Sequence, residues 1–106
     1  MHQEFEYENY VDENGNPSGG YVTGKGLKID WQDGPLAVDG NRLEPNGCFV
    51  ETLLDVAKIR LMAFQDSKFH SQYNHDAIEA IQLAINALDQ RTKDRESRGV
   101  EGTHNV

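Results

Sequence analysis

The chain changes period half-way along, and that change limits the folds open to it. In residues 3–9, Gln3, Phe5, Tyr7 and Asn9 alternate with Glu4, Glu6 and Glu8. Period two with a carboxylate at every second position predicts a strand with one wet face. Asp12 to Gly20 (DENGNPSGG) is dense in turn formers: Asn14-Gly15 and Gly19-Gly20 tolerate positive φ, and Pro17 breaks a ladder. Leu27, Ile29 and Trp31 then alternate with Lys28 and Asp30, a second strand. The two strands are expected to pair as a hairpin around a long, mobile loop. Asp33-Gly34-Pro35 turns the chain out of it, and residues 32–47, with Pro35, Gly40, Pro45 and Gly47, read as loop.

A helical period follows. Val50, Leu53, Leu54, Ala57, Leu61 and Phe64 fall at spacings of three and four, which predicts a helix over about 47–66. Asn46 is its expected N-cap, with Glu51 and Asp55 near the positive end of the dipole. Residues 66–73 form a polar connection. Asn74 or Ser71 caps a second helix whose apolar face is Ala77, Ile78, Ile81, Ala84, Ile85 and Leu88, with Asp76 and Glu79 favouring its first turn. Nothing interrupts it until Gly99, a natural C-terminal stop. Running from Asn74 to Arg98, this helix is roughly 37 Å long and outruns the first. The fold class is therefore α+β: an N-terminal β-hairpin with loops over 1–46, then an antiparallel two-helix hairpin and tail over 47–106, in a single domain.

Composition bounds the function. The chain has 106 residues and 37% hydrophobic content, too little core for a self-sufficient monomer, so the helices are expected to oligomerise. A net charge of −8 argues against DNA, RNA or membrane-surface binding, because the long-range field repels phosphate polymers and anionic lipid. A small anion held at contact range is still allowed, since salt screens that field beyond roughly 8 Å. One cysteine, Cys48, leaves no disulfide framework. The acidic N-terminus resembles no signal peptide, and no apolar run reaches membrane-span length, so a cytoplasmic location is expected.

Catalytic and metal chemistry find little support. Gly19 to Lys25 (GGYVTGK) has P-loop spacing, but Gly26 stands where a hydroxyl must hold magnesium, and a strand follows. It reads as a turn. His2, His70, His75 and His104 show no helical zinc spacing, and Cys48 at a helix start reads as a small buried residue. No catalytic set, metal or cofactor is expected.

The informative cluster is Arg91, Arg95 and Arg98. Spacings of four and three put the guanidinium groups on one helix face, where each can fork two bonds onto a phosphate. The same residues also complement a helix C-terminus and can pair with Asp94 and Glu101 on a wet surface. Phe64 is placed to stack on a base or to close the apolar stripe. Asn74 can bond a base edge or ribose hydroxyl, or simply cap its helix. Trp31 suits core packing, and Arg42 is a possible anion tether.

The runs Trp31-Gln32-Asp33-Gly34-Pro35-Leu36, Glu44-Pro45-Asn46-Gly47 and Arg91 to His104 (RTKDRESRGVEGTH) resemble phage anti-Thoeris sponge proteins, whose helical hairpin is shared with phage anti-CBASS sponges. The similarity runs from about Gly20 to the C-terminus, and RGVEGTH is its most specific part. The resemblance implies sequestration, without cleavage, of cyclic ADP-ribose isomers made by Thoeris TIR-domain enzymes. Cyclic di- or trinucleotides of CBASS signalling are further ligands. It also implies a homodimer or hexamer with pockets at subunit interfaces, lined by Phe64, Asn74, Arg91, Arg95 and Arg98. Thr103 and His104 approach from a neighbouring chain. His70 and Tyr73 depart from the family pattern. The competing readings are a helical-hairpin module that binds another protein, and an enzyme that degrades the messenger.

Overall fold

The chain divides into two units, Met1–Phe49 with Val100–Val106 and Val50–Gly99, in a computed structural model that describes all residues from 1 to 106. The first unit is built on a three-stranded antiparallel sheet of order β1-β2-β3, comprising β1 (Phe5–Val11), β2 (Pro17–Gly24) and β3 (Leu27–Asp30). The expected α+β class and N-terminal hairpin are present, but the partner of β1 is β2, and the expected Leu27–Trp31 strand pairs on the other edge of β2. β1 pairs with β2, in the register Tyr7↔Val22 and Glu8↔Tyr21, and β2 pairs in turn with β3.

The turn chemistry of residues 12–20 hid the middle strand. Only Asp12–Asn16 turns: the Asp12 carboxylate accepts the Asn14 and Asn16 N–H groups, each at 2.9 Å, and Gly15 takes φ +81°. Gly19 and Gly20 lie inside β2 instead, at φ +84° and +136°, next to a register shift between Asn9 and Val11. They belong to a bulge, where the backbone needs conformations other residues resist. A Cβ at Gly20 would stand 2.2 Å from the Glu8 carbonyl oxygen, so only glycine lets the strands close. The residues GGYVTGK thus form strand and a Lys25-Gly26 turn, with no helix following. β1 is exposed on both faces rather than one, and Ile29 on β3 is the one buried apolar side chain of the chain.

After β3 the backbone is stitched to the segment that precedes the helices. Trp31 and Cys48 form a parallel bridge, with Cys48 N–H on the Asp30 carbonyl at 2.8 Å and Gln32 N–H on the Cys48 carbonyl at 3.1 Å. Gly47 permits this approach, since a Cβ there would meet the Trp31 carbonyl carbon at 2.5 Å. Between the stitched segments lies a two-residue hairpin, β4 (Ala37–Val38) and β5 (Asn41–Arg42), turned by Asp39 and Gly40 at φ 51° and 78°.

The second unit is an antiparallel helical hairpin, α1 (Val50–Gln65) and α2 (Gln72–Ser97). Leu53, Leu54 and Leu61 are half-buried, as are Ala77, Ile78, Ile81, Ala84, Ile85 and Leu88. The expected α2 stripe is therefore intact, whereas Val50, Ala57 and Phe64 of the expected α1 stripe are exposed. Neither helix buries a single residue. Val56, Ile59, Met62 and Leu83 remain 58%, 67%, 49% and 68% exposed, a large apolar surface for a hairpin of this size.

Two terminus assignments shift, and a third is decided between its two candidates. Asn46 does not cap α1, because its side chain is spent on Asp33, as described below. Ser71, not Asn74, caps α2: its Oγ accepts the Asn74 N–H at 3.1 Å. The helix consequently starts early enough to leave Asp76 and Glu79 beyond the first turn, bonded instead to Gln72 and His75. Gly99, at φ +72°, donates its N–H to the Glu96 carbonyl and ends α2 as expected. No helix is long and apolar enough to cross a membrane.

Candidate functional site

The three sequence runs singled out above have distinct structural jobs. Gln32-Asp33 and Asn46 clasp one another: Asn46 Oδ1 accepts the Asp33 N–H at 2.9 Å, its Nδ2 donates to the Asp33 carbonyl at 2.8 Å, and Gln32 Oε1 accepts the Asn46 N–H at 2.8 Å. All three bonds join backbone to side-chain amide, which fixes the loop without a helix or ladder. The tail is held in a similar way. The Gly102 carbonyl accepts the N–H groups of Leu36 and Ala37, at 2.6 and 2.9 Å, and Arg42 pairs with Glu101. Gly102 takes φ +77°, and a Cβ there would crowd Arg42 and Leu36 at 3.0 and 3.3 Å. Thr103 Oγ1 donates to the Val100 carbonyl at 2.6 Å and accepts the Asn105 N–H, while Asn16 Nδ2 donates to His104 Nδ1 at 3.3 Å. Within the first unit, Thr103 and His104 therefore have local structural partners, and Arg42 serves the tail.

In the second unit, Phe64 and Asn74 flank the connection between the helices. Phe64 is 40% exposed and carries the Arg60 guanidinium over its ring, 5.1 Å from the centroid. The expected stacking ring is thus open to solvent on the helix surface, with a cation one turn below it. Asn74 is half-buried and donates through Nδ2 to the Phe69 carbonyl at 3.1 Å, which leaves Oδ1 and the second amide hydrogen open. Phe69 and Tyr73 are 64% and 86% exposed, so three aromatic rings stand at this end of the hairpin.

The arginines stand at the other end. The pairs Gln65–Ser71, Lys58–Gln82 and Glu51–Arg91 run in opposite directions along the two helices, which places Arg91 beside the first turn of α1. Arg95 lies further along α2, past the start of α1, and Arg98 is the C-cap of α2. Arg91 faces Glu51 at 3.6 Å and Arg98 holds Asp94 at 3.0 Å, so both guanidinium groups already touch carboxylates. Arg95 is half-buried and also has an interaction partner. The positive end of the α1 dipole adds to the cationic character here.

Arg91 stands seventeen positions after Asn74 along continuous helix, a distance of roughly 25 Å. One chain therefore does not gather the expected residues into one site. It presents an aromatic and amide end, and a cationic end. A shallow hollow of about 700 Å³ in the first unit is bounded by Glu4, Phe5, Glu6, Thr23 and Gly24. Its two carboxylates make it unsuitable for an anion. Two residues with no expected site role matter at the hairpin ends: Gln65, whose side chain ties α1 to Ser71, and Glu51, the counter-charge of Arg91. Glu51 was read only as a dipole partner, and a glutamine in a last helical turn carries no distinguishing signal.

No family model matches the chain. Over 81 residues it is 40% identical to the protein named Thoeris anti-defense 1 from Bacillus phage SBSphiJ7, a match that covers 76% of this chain and 54% of the relative. The chain thus spans about half the length of that curated relative. Identity of that degree over three quarters of its length, together with the helical hairpin and the runs that the fold stitches together, makes the chain a member of the phage anti-Thoeris family.

Proposed function

We propose that the chain counters Thoeris defence by binding a cyclic ADP-ribose isomer and holding it intact. The observation that carries this reading is the division of labour along the helical hairpin: Phe64 and Asn74 at one end, Arg91, Arg95 and Arg98 at the other, roughly 25 Å apart. A cyclic dinucleotide-sized ligand needs both ends at once, so the pocket forms between chains, the aromatic end of one meeting the cationic end of another. The exposed Val56, Ile59, Met62 and Leu83 supply the apolar surface that such an assembly covers. A chain with one buried apolar side chain gains stability from that assembly.

Within the pocket, arginine forks meet the pyrophosphate through charge-assisted bonds, each roughly twice as strong as a neutral one. Stacking of adenine on Phe64 adds about 1–3 kcal/mol. The Asn74 amide reads the base edge or ribose through its open Oδ1 and N–H. Together these reach nanomolar affinity, about −12 kcal/mol. No bond in the ligand breaks, and slow release keeps the signal from its effector. Cyclic di- and trinucleotides of CBASS signalling offer the same phosphate and base chemistry and are a second ligand class. Thr103 and His104 enter the pocket from a neighbouring chain.

The test is calorimetry of the full chain with glycocyclic ADP-ribose (gcADPR), followed by denaturation and chromatography of the released molecule. Wild type is expected to bind and return unaltered ligand, and Arg91→Ala and Arg95→Ala to fold normally and lose binding. Unchanged affinity in both variants refutes the anion clamp, and a cleaved product refutes sequestration.

A further inference from the structure

We infer that Gln65 is a positioning residue that sets the spacing between Phe64 and Asn74, and so tunes recognition of the base. The inference rests on the proposed roles of those two residues. Gln65 ends α1 and is half-buried. Its carboxamide bonds both backbone groups of one residue six positions on: Nε2 donates to the Ser71 carbonyl at 3.1 Å, and Oε1 accepts the Ser71 N–H at 2.9 Å. Ser71 is in turn the N-cap of α2, extended at φ −159° and ψ 160°, with its Oγ on the Asn74 N–H. One side chain thus ties the residue adjoining Phe64 to the residue that fixes Asn74.

The rest of the connection is built on that tie. Ser67 donates its N–H and Oγ–H to the Phe64 carbonyl, at 3.1 and 2.6 Å, and accepts the Phe69 N–H on Oγ at 3.1 Å. The Phe69 carbonyl then receives the Asn74 Nδ2. Six residues between two helices are commonly a variable loop, yet here the two ends are bonded to each other through side-chain amides. A bidentate amide fixes both distance and direction, because both of its bonds must be satisfied in one plane.

The experiment is a double-mutant cycle in gcADPR binding by the full chain, with Phe64→Leu, Gln65→Leu and the double variant. Phe64→Leu is expected to weaken binding, and Gln65→Leu to weaken it on the order of tenfold with the helical circular dichroism retained. In the double variant, the Gln65 change is expected to add no further loss, because it acts through the ring already removed. If Phe64→Leu binds as wild type, the base-stacking reading itself fails. If Phe64→Leu weakens binding while Gln65→Leu does not, or if the two losses simply add, that reading stands and the positioning role is overturned. Should Gln65→Leu fail to fold, Gln65→Glu decides. Its carboxylate keeps the Ser71 N–H but opposes the Ser71 carbonyl, and protonation restores a donor. Its affinity relative to wild type at the same pH is therefore expected to recover as the pH falls from 7 toward about 5. A pH-independent ratio overturns the inference.

Discussion

Replacing Glu51 with Gln should move stability and affinity in opposite directions. Glu51 lies in the first turn of α1, and its Oε1 is 3.6 Å from the Arg91 guanidinium, with side-chain exposures of 29% and 63%. At that separation the Coulomb attraction in water is about 1.2 kcal/mol. Exposed pairs of this kind contribute about 0.2–1 kcal/mol once side-chain ordering is counted. A carboxylate near a helix N-terminus contributes a further 0.3–1 kcal/mol or so. Glu51→Gln therefore costs about 1 kcal/mol of stability, or roughly 4–8 °C in Tm for a domain of about this size. An incoming phosphate no longer has to displace the carboxylate, so gcADPR binding tightens by about 1.5- to 5-fold. Both effects shrink in high salt, because the pair is largely wet. Paired thermal melts and calorimetry at two ionic strengths measure them together. Binding that weakens along with stability would refute the view of Glu51 as a counter-ion that the ligand displaces.

Two further outcomes follow from the fold. Ile59→Glu replaces a side chain that is 67% exposed, so an isolated chain would tolerate it within about 0.5 kcal/mol; light scattering is expected to show smaller assemblies, and an unchanged mass would remove that face from the interface. In the β1–β2 turn, the Asn16 N–H bonded to the Asp12 carboxylate holds Asp12 below its ordinary value of 3.8. A depressed folded value means the turn is at full strength above 3.8 and loosens as the pH falls through the lower folded value. The Asn14 and Asn16 amide shifts should titrate with a midpoint below 3.8, and a midpoint at or above it contradicts the assignment.

Both helices were legible in the sequence, because apolar spacing of three and four over a stretch free of proline and glycine admits little else. Their exposed face was less so. Val56, Ile59 and Met62 sit among residues of the same type, and periodicity alone does not say which stripe meets α2 and which stays exposed. β2 was missed because Pro17, Gly19 and Gly20 are turn formers by chemistry. The strand signal was Tyr21-Val22-Thr23, three strand formers in a row, and the glycines turned out to serve a bulge. Asn46 shows the opposite error. An asparagine before an apolar run reads as a cap, but the bonds it makes to Gln32 and Asp33 are long-range and invisible locally.

The candidate site divides along the same line. Arg91, Arg95 and Arg98 declare a shared helix face by spacing alone. That Phe64 and Asn74 lie at the far end of the hairpin follows once the two helices are known to be antiparallel, so a single hairpin does not bring them to Arg91, Arg95 and Arg98. The tail was less transparent. Nothing local in Val100 to His104 signals that the Gly102 carbonyl accepts the N–H groups of Leu36 and Ala37, or that His104 accepts from Asn16.

Mixing two defective chains tests the shared pocket most directly. Phe64→Ala is expected to disable the aromatic end and Arg91→Ala the cationic end, so neither binds gcADPR alone. In a mixed dimer one pocket inherits both defects and the other neither, so equal mixing after denaturation and refolding should restore binding at about one pocket in four, each with wild-type affinity. A mixture as inert as its two components would show that each ligand is held within a single chain, and would contradict the account.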